Sequence, residues 1–436
     1  MQCSPPGPLG IGHLHARECC AYALFMAEGS AVRLRGVYED LHKHPELSFR
    51  EHRTAGIVTG WLKDLGYEVT EGIATTGVAG VLRNGNGPVV LLRADMDALP
   101  VREATRLGYA STVDGVMHAC GHDMHVTCLL GAASELAASR ADWSGTLVTV
   151  FQPSEETVEG AAAMVADGLY ERVPRPDVVL GQHVAPFPAG MIGLRAGIAY
   201  AATDGLRVTL YGAGGHGARP AATIDPVVMA AATVMRLQGI VAREVAATDM
   251  AVVTIGALRA GTKNNIIPDE AELLLSVRTT STTVRDKVLK AIDRIVRAEA
   301  LASGAKKEPL VEPMESAPAV TNDAAATDRT RGALTSVVGQ GRVIDPGLVT
   351  GSEDVGVLAG AAGAPLVYWL LGGADPAAFA GATGHEDLTR IVAGLPSNHS
   401  PLYAPVEDPT IGIGINALSA AARKWLGGTS QARPAG

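Results

Sequence analysis

The chain has 436 residues, more than a single hydrophobic core usually organises, so two domains are expected. Apolar residues make up 47%, charged residues 19% and aromatics only 4%, which excludes a disordered or fibrous chain and implies a core of Val, Leu, Ile and Ala. The net charge is -9 and Lys and Arg are scattered, so there is no basic face for a phosphate backbone and nucleic acid is not an expected partner.

The five cysteines (Cys3, Cys19, Cys20, Cys120 and Cys128) are odd in number in a long chain. They do not form a disulfide framework, and a reducing, cytoplasmic location fits them better. No apolar run approaches the ~20 residues of a membrane span. CCAYALFMA at 19–27 is short and follows Glu18, a poor signal-peptide core. Residues 1–30 read as a flexible extension, because their Pro and Gly oppose a regular start.

Val32, Leu34, Val37 and Leu41 form a helical stripe over 31–43 that stops before Pro45. Ile57, Val58, Trp61, Leu62 and Leu65 repeat it over 50–65, and Gly66 ends that helix. GVAGVLR and PVVLLRAD, separated by NGNG, predict a hairpin or a tight strand connection. TLVTVFQ (146–152), DVVLGQ (177–182) and APLVYWLL (364–371) are near-continuous apolar runs, suited to strands covered on both faces. Helical patterns at 123–138, 159–169 and 410–426 accompany them. Alternating strand and helix predicts an α/β fold with a mostly parallel sheet flanked by helices.

The texture changes near residue 203. DGLRVTLYG and AELLLSVRT alternate like strands with one solvated face, and helical segments at 225–241 and 283–302 accompany them. A smaller α+β domain over 203–315 is therefore expected, inserted into a larger one formed by 31–202 and 316–436. The Pro-rich EPLVEPMESAPAV reads as the return linker.

The chemical residues follow the strand ends. LLRAD finishes in Asp95-Met96-Asp97, VTVFQPS in Glu155-Glu156 and VVLGQ in His183. Ligands of open α/β sheets bind beyond the carboxyl ends of strands. MHACGHDMH (117–125) adds Cys120, His122 and Asp123 with two further His. Any one of these alone is most simply a loop or core residue. Thiolate, imidazole and carboxylate together are the donors that borderline divalent metals take. The adjacent Glu155-Glu156 pair can divide two jobs, one carboxylate holding metal and the other carrying a proton. YGAGGHGARP has GxGxxG spacing, but Pro220 comes too soon for the helix a dinucleotide needs, and Leu237 stands where its acid should be. GxSxG and HExxH are both absent, against a serine-hydrolase elbow and a zincin.

From LHKHPELSFRE through RADMDALP, HACGHDMH, QPSEE, GQHV, GGHGARP, NNIIPDEAE and GSED to NHSP, the chain resembles the metal-dependent aminoacylase/carboxypeptidase superfamily. The branch is that of hippurate hydrolases and indoleacetyl-amino-acid hydrolases. The resemblance implies two divalent metal ions, Mn2+ or Zn2+ with Co2+ or Ni2+ also accommodated, held by Cys120, His122, Glu156, His183 and His399. It implies Glu155 as general base and Asp97 as the residue that orients a metal-binding side chain. It makes 203–315 a lid and dimerisation domain whose His216, Asn265 and Arg278 bind the scissile carbonyl and the substrate carboxylate. His399 is assigned through the resemblance alone. His42, His44, His118 and His125 are left to structural support. One departure is Val355, which follows GSED where the family often has an aromatic, and which would alter the pocket wall.

The expected activity is hydrolysis of the amide bond of N-acyl amino acids by metal-activated water, in a homodimer or tetramer assembled through the lid. Dipeptidase or N-acetyl-amino-acid deacetylase action on the same scaffold is the alternative. A binding protein without turnover is disfavoured by the intact Glu155 and full ligand set.

Overall fold

Strands that must be covered on both faces end up at the centre of a sheet. The computed structural model describes residues 32–428, and the extension read at 1–30 lies outside them, with Cys3, Cys19 and Cys20. The described part begins with helix α1 (32–43), then α2 (His52–Asp64), β1 (Glu68–Ile73), β2 (Gly77–Asn84) and β3 (Val89–Asp95). Next come α3 (His122–Ala138), β4 (Gly145–Gln152), α4 (Gly160–Ala166), α5 (Leu169–Arg172), β5 (Val178–Pro188), β6 (Ile192–Gly193) and β7 (Gly197–Tyr200). The middle of the chain forms β8 (Ala202–Tyr211), β9 (Gly215–His216), α6 (Pro226–Arg243), β10 (Ala251–Ala260), β11 (Ile266–Ile267), β12 (Glu270–Thr279), α7 (Thr282–Ala302) and β13 (Leu310–Ala317). It closes with β14 (Val320–Asn322), α8 (Ala324–Val338), β15 (Val343–Ile344), α9 (Val355–Ala362), β16 (Leu366–Ala374), α10 (His385–Gly394) and α11 (Glu407–Trp425).

The large sheet has the order β1-β2-β4-β3-β5-β16-β6-β15. Its centre is parallel: β3 pairs β4 and β5, and β5 pairs β16. The apolar runs of β4, β5 and β16 are buried along most of their length, because α3 and α11 cover one face and α4 and α9 the other. Of the two expectations for NGNG, the tight strand connection holds and the hairpin is corrected. β2 and β3 do not pair, because β4 lies between them, antiparallel to β2 and parallel to β3. Glycines make this wedge possible. A Cβ on Gly145 would stand 2.4 Å from the Pro88 carbonyl oxygen, and one on Gly87 would stand 2.9 Å from Gly145 Cα.

The second sheet is antiparallel, in the order β10-β12-β8-β13, with α6 and α7 on one face. It has a core of its own, built from Leu206, Val208 and Leu210 with Leu273, Leu275, Val288 and Ile292. The expected return linker is also corrected: most of EPLVEPMESAPAV is strand β13, at the sheet edge against β8. Pro313 is tolerated because an edge strand has one unpaired side, and the register breaks between Pro313 and Ser316. Among the described residues, no helix is long and apolar enough to cross a membrane.

Candidate active site

The carboxyl ends of β3, β4 and β5 converge on the start of α3. Gly121 precedes that helix with φ +83, and a Cβ there would lie 2.4 Å from Val184 Cγ1. Only glycine fits this turn, which brings Cys120 and His122 together. Cys120 Sγ is 3.5 Å from His183 Nε2. His122 Nε2 is 3.8 Å from both Glu155 Oε2 and Glu156 Oε1. His399 Nε2 is 3.2 Å from Glu156 Oε2. Cys120, His122, Glu155, Glu156, His183 and His399 thus form overlapping groups, and within each group the donor atoms lie within 4.8 Å of one another.

Neighbouring groups fix the orientation of each donor. Asp97 accepts the backbone N–H groups of Glu155 and Glu156, both at 3.0 Å, and the Ser48 hydroxyl at 2.7 Å. Its Oδ1 is 3.3 Å from His122 Nδ1, so the imidazole can keep its proton there and turn Nε2 toward the cluster. His183 Nδ1 is 2.8 Å from the Val184 carbonyl, which leaves its Nε2 lone pair facing Cys120. Burial holds His183 well below the usual imidazole range, in the neutral form a ligand needs. His399 sits at φ +71, with its N–H on the Ala119 carbonyl. The Asn398 amide donates to the Cys120 and Val184 carbonyls at 3.2 Å each, tying this loop to both.

The donor set fits metal ions. His122 Nε2 and Glu156 Oε1 are buried without hydrogen-bond partners, a costly arrangement unless something else satisfies them. Sulfur, imidazole and carboxylate are suitable donors for a borderline divalent ion. His125 is different. Its Nε2 accepts the Val184 N–H at 2.8 Å and its Nδ1 bonds Asp95, so both nitrogens are in use. Burial pushes the Glu155 carboxyl well above the usual carboxylate range, and the nearby Glu353 and Glu156 charges add to this. Such a carboxylate accepts a proton more readily than an exposed one.

A buried charge network lies behind the cluster. Arg93 Nη1 is 2.6 Å from Asp95, and Nη2 is 2.8 Å from Glu353 and 3.2 Å from Asp354. Tyr368 donates to Glu353 at 2.6 Å. Burial pushes Asp354 up to about 7. Asp95 stands out in the sequence at a strand end, whereas Arg93, Glu353, Asp354 and Tyr368 carry no legible role of their own there. The available signal was an arginine inside an apolar strand, which must find anionic partners to be buried. Val355 is a correction as well: it is fully buried in the core under α9 and does not line the cavity. His42 bridges Asp123 at 2.6 Å and Glu103 at 3.2 Å, His44 lies half-exposed beside Asp40, and His118 is buried with neither nitrogen partnered.

A cavity of about 1150 Å³ opens over the cluster. Cys120, Glu155, Glu156, His183 and His399 form its floor, and Phe187, Ile344, Val349 and Leu370 give it an apolar side. Its roof comes from the second sheet, through Thr203, Arg207 and Arg278. Arg278 Nη1 is buried there with no hydrogen-bond partner. His216 and Asn265 do not reach this cavity. They belong to the small β9–β11 ribbon beyond Tyr211, whereas Thr203 marks the cavity end of β8. The intervening strand spans about 27 Å at the usual rise per residue. Both residues are exposed, apart from the cavity of their own chain.

A family model described as peptidase family M20/M25/M40 matches residues 91–394. The hippurate hydrolase of Campylobacter jejuni is 44% identical over 276 residues, covering 62% of this chain and 71% of that protein. An Arabidopsis thaliana IAA-amino acid hydrolase ILR1-like 2 is 35% identical over 372 residues, covering 84% and 80%. The crystal structure of Bacillus subtilis YXEP protein, described as a dinuclear metal binding peptidase from the M20 family, superposes with a TM-score of 0.71 at 29% identity. That match covers 92% of this chain and 100% of the other.

Proposed function

The chain belongs to peptidase family M20/M25/M40, and from that premise we infer that it is a metal-dependent amidohydrolase cleaving the amide bond of N-acyl amino acids. One observation carries the reading. Glu155 stands beside a cluster with orphaned ligand atoms, His122 Nε2 and Glu156 Oε1, under a roof that offers the unpartnered Arg278 Nη1.

Cys120, His122, Glu156, His183 and His399 would hold two divalent ions, with Asp97 orienting His122 and the Glu155-Glu156 backbone. When bound, the ions polarise the scissile carbonyl and lower the pKa of water. Glu155 takes the proton from the attacking water, which its raised proton affinity favours, and then delivers it to the more basic leaving nitrogen. Arg278 holds the carboxylate of the amino acid, since a planar fork suits two oxygens. The test is a hydrolysis screen of acetyl-, benzoyl- and indoleacetyl-amino acids, and of dipeptides, with Mn, Zn, Co or Ni. Release of free amino acid from an N-acyl substrate in a metal-dependent way is the expected result. Turnover of dipeptides alone would move the reading to a dipeptidase, and none on any substrate would overturn it.

Residues 31–202 and 316–436 serve as the catalytic unit and 203–315 as the lid and dimerisation unit in this reading. Among the described residues the outer strand β10 pairs only with β12, and Val228, Met235, Val252 and Leu258 are exposed on α6 and β10. A second copy on this edge would cover them and could bring its own His216 and Asn265 to the cavity that lacks them. Co-expressing Glu155→Gln with His216→Ala, each inactive alone, should then restore turnover, because one site per dimer keeps both residues. Failure to restore it in a verified heterodimer sinks the shared-site reading. A cytoplasmic location accords with the free thiols of Cys120 and Cys128, and cell fractionation is its check.

A further inference from the structure

Side chains alternate along a strand, so β8 separates two environments. Leu206, Val208 and Leu210 enter the core under α6 and α7. Thr203, Gly205 and Arg207 share the opposite face, and Arg278 stands beside Thr203 across the β8–β12 ladder. Thr203, Arg207 and Arg278 all line the cavity. Gly205, between them, has no side chain, and the space above it is taken. A Cβ built there would meet the carboxylate carbon and both oxygens of Glu315, each at 2.4 Å. Glu315 lies in the register break of β13 between Pro313 and Ser316, and it lines the cavity as well.

The commitments of these roof charges differ. Arg207 pairs with Glu272 at 3.3 Å. Arg278 has a buried Nη1 without a partner; burial works against its charge, and the nearby Glu315 supports it without an ion-pair contact. Among the described residues, Glu315 has no hydrogen-bond or ion-pair partner. One cation and one anion are thus left open on the same cavity wall.

We propose that Glu315 is a specificity residue that receives a cationic side chain on the amino-acid half of the substrate, so that N-acyl derivatives of basic amino acids such as lysine are preferred. The proposal rests on the amidohydrolase reading, with Arg278 holding the α-carboxylate. A neutral side chain brought beneath the roof strips water from the Glu315 carboxylate and returns no hydrogen bond. An ammonium or guanidinium group returns one, and an acidic side chain is repelled.

The test compares N-benzoyl and N-acetyl derivatives of lysine, norleucine and glutamate. Norleucine keeps the lysine chain and lacks its ammonium. In the wild type the lysine derivative should show a KM at least ~10-fold lower than the norleucine derivative, the scale of a hydrogen bond to a charged group. Glu315→Gln should bring the two together, and Glu315→Lys should move the preference to glutamate. Arg278→Ala should weaken lysine and norleucine derivatives alike, because both carry the carboxylate. Unchanged metal content in each variant shows that the site is still assembled. Equal KM for lysine and norleucine in the wild type, or a lysine preference that survives Glu315→Gln, overturns the role of Glu315 and leaves the amidohydrolase reading intact. Absence of turnover on every derivative overturns both.

Discussion

Replacing Glu155 by Gln lowers kcat by at least ~100-fold, the usual scale for loss of a general base, while the metal content stays at the wild-type level. The amide keeps the size of the carboxylate but has no oxygen that takes a proton at neutral pH. The surroundings survive the change, because Asp97 holds residue 155 by its backbone N–H and not by its side chain. The Glu156 and His122 donors likewise keep their own contacts with Asp97. Metal analysis and steady-state rates on the same preparation decide the matter. Near wild-type turnover with normal metal content would remove Glu155 from the chemistry.

Chelation abolishes turnover and exposes Cys120 to alkylation. A coordinated thiol is deprotonated and shielded by its metal, so labelling of Cys120 should rise severalfold only after metal removal. A packed core thiol would stay unlabelled in both states, and a nucleophile would be labelled in the holoenzyme. Cys128 is the internal control. It is fully buried on α3, with Sγ 3.8 Å from the Ile411 carbonyl, and burial pushes its thiol up. Peptide mass mapping reads both positions. Equal Cys120 labelling with and without chelator, or normal metal content in Cys120→Ala, would sink the assignment.

The parts of the fold that were legible are those in which local pattern and burial coincide. The apolar runs of β4, β5 and β16 and the amphipathic α6 and α7 are of this kind. The failures are long-range. NGNG carries turn chemistry, and nothing near it in sequence reveals that β4 will part β2 from β3. The prolines of EPLVEPMESAPAV signal a break, but an edge strand tolerates them. In the site, Glu155, Glu156 and His183 were visible because strand ends gather ligands, and Cys120 and His122 because MHACGHDMH crowds metal donors together. Asn398 and His399 come from a distant loop whose position depends on contacts with Ala119, Cys120 and Val184. Arg93 hides in an apolar strand until Glu353 and Asp354 are seen to face it. His216 and Asn265 follow the motif order, yet order says nothing about the length of β8 that separates them from the cavity.

The roof and floor of the cavity come from different sheets, which has a consequence for how specificity can change. If Arg278 holds the substrate carboxylate as proposed, groups on the roof meet the amino-acid half of a substrate and the apolar side is left for the acyl half. Substitutions on the two surfaces would then act on different halves of the substrate, so their effects on substrate choice should combine nearly independently. A lineage could therefore exchange one acyl group for another through Phe187, Ile344 or Leu370 without disturbing the choice of amino acid, and the reverse through β8, β12 and β13. The fold would then behave as a two-dial lock, each dial turning on its own sheet while the hydrolytic centre between them stays fixed.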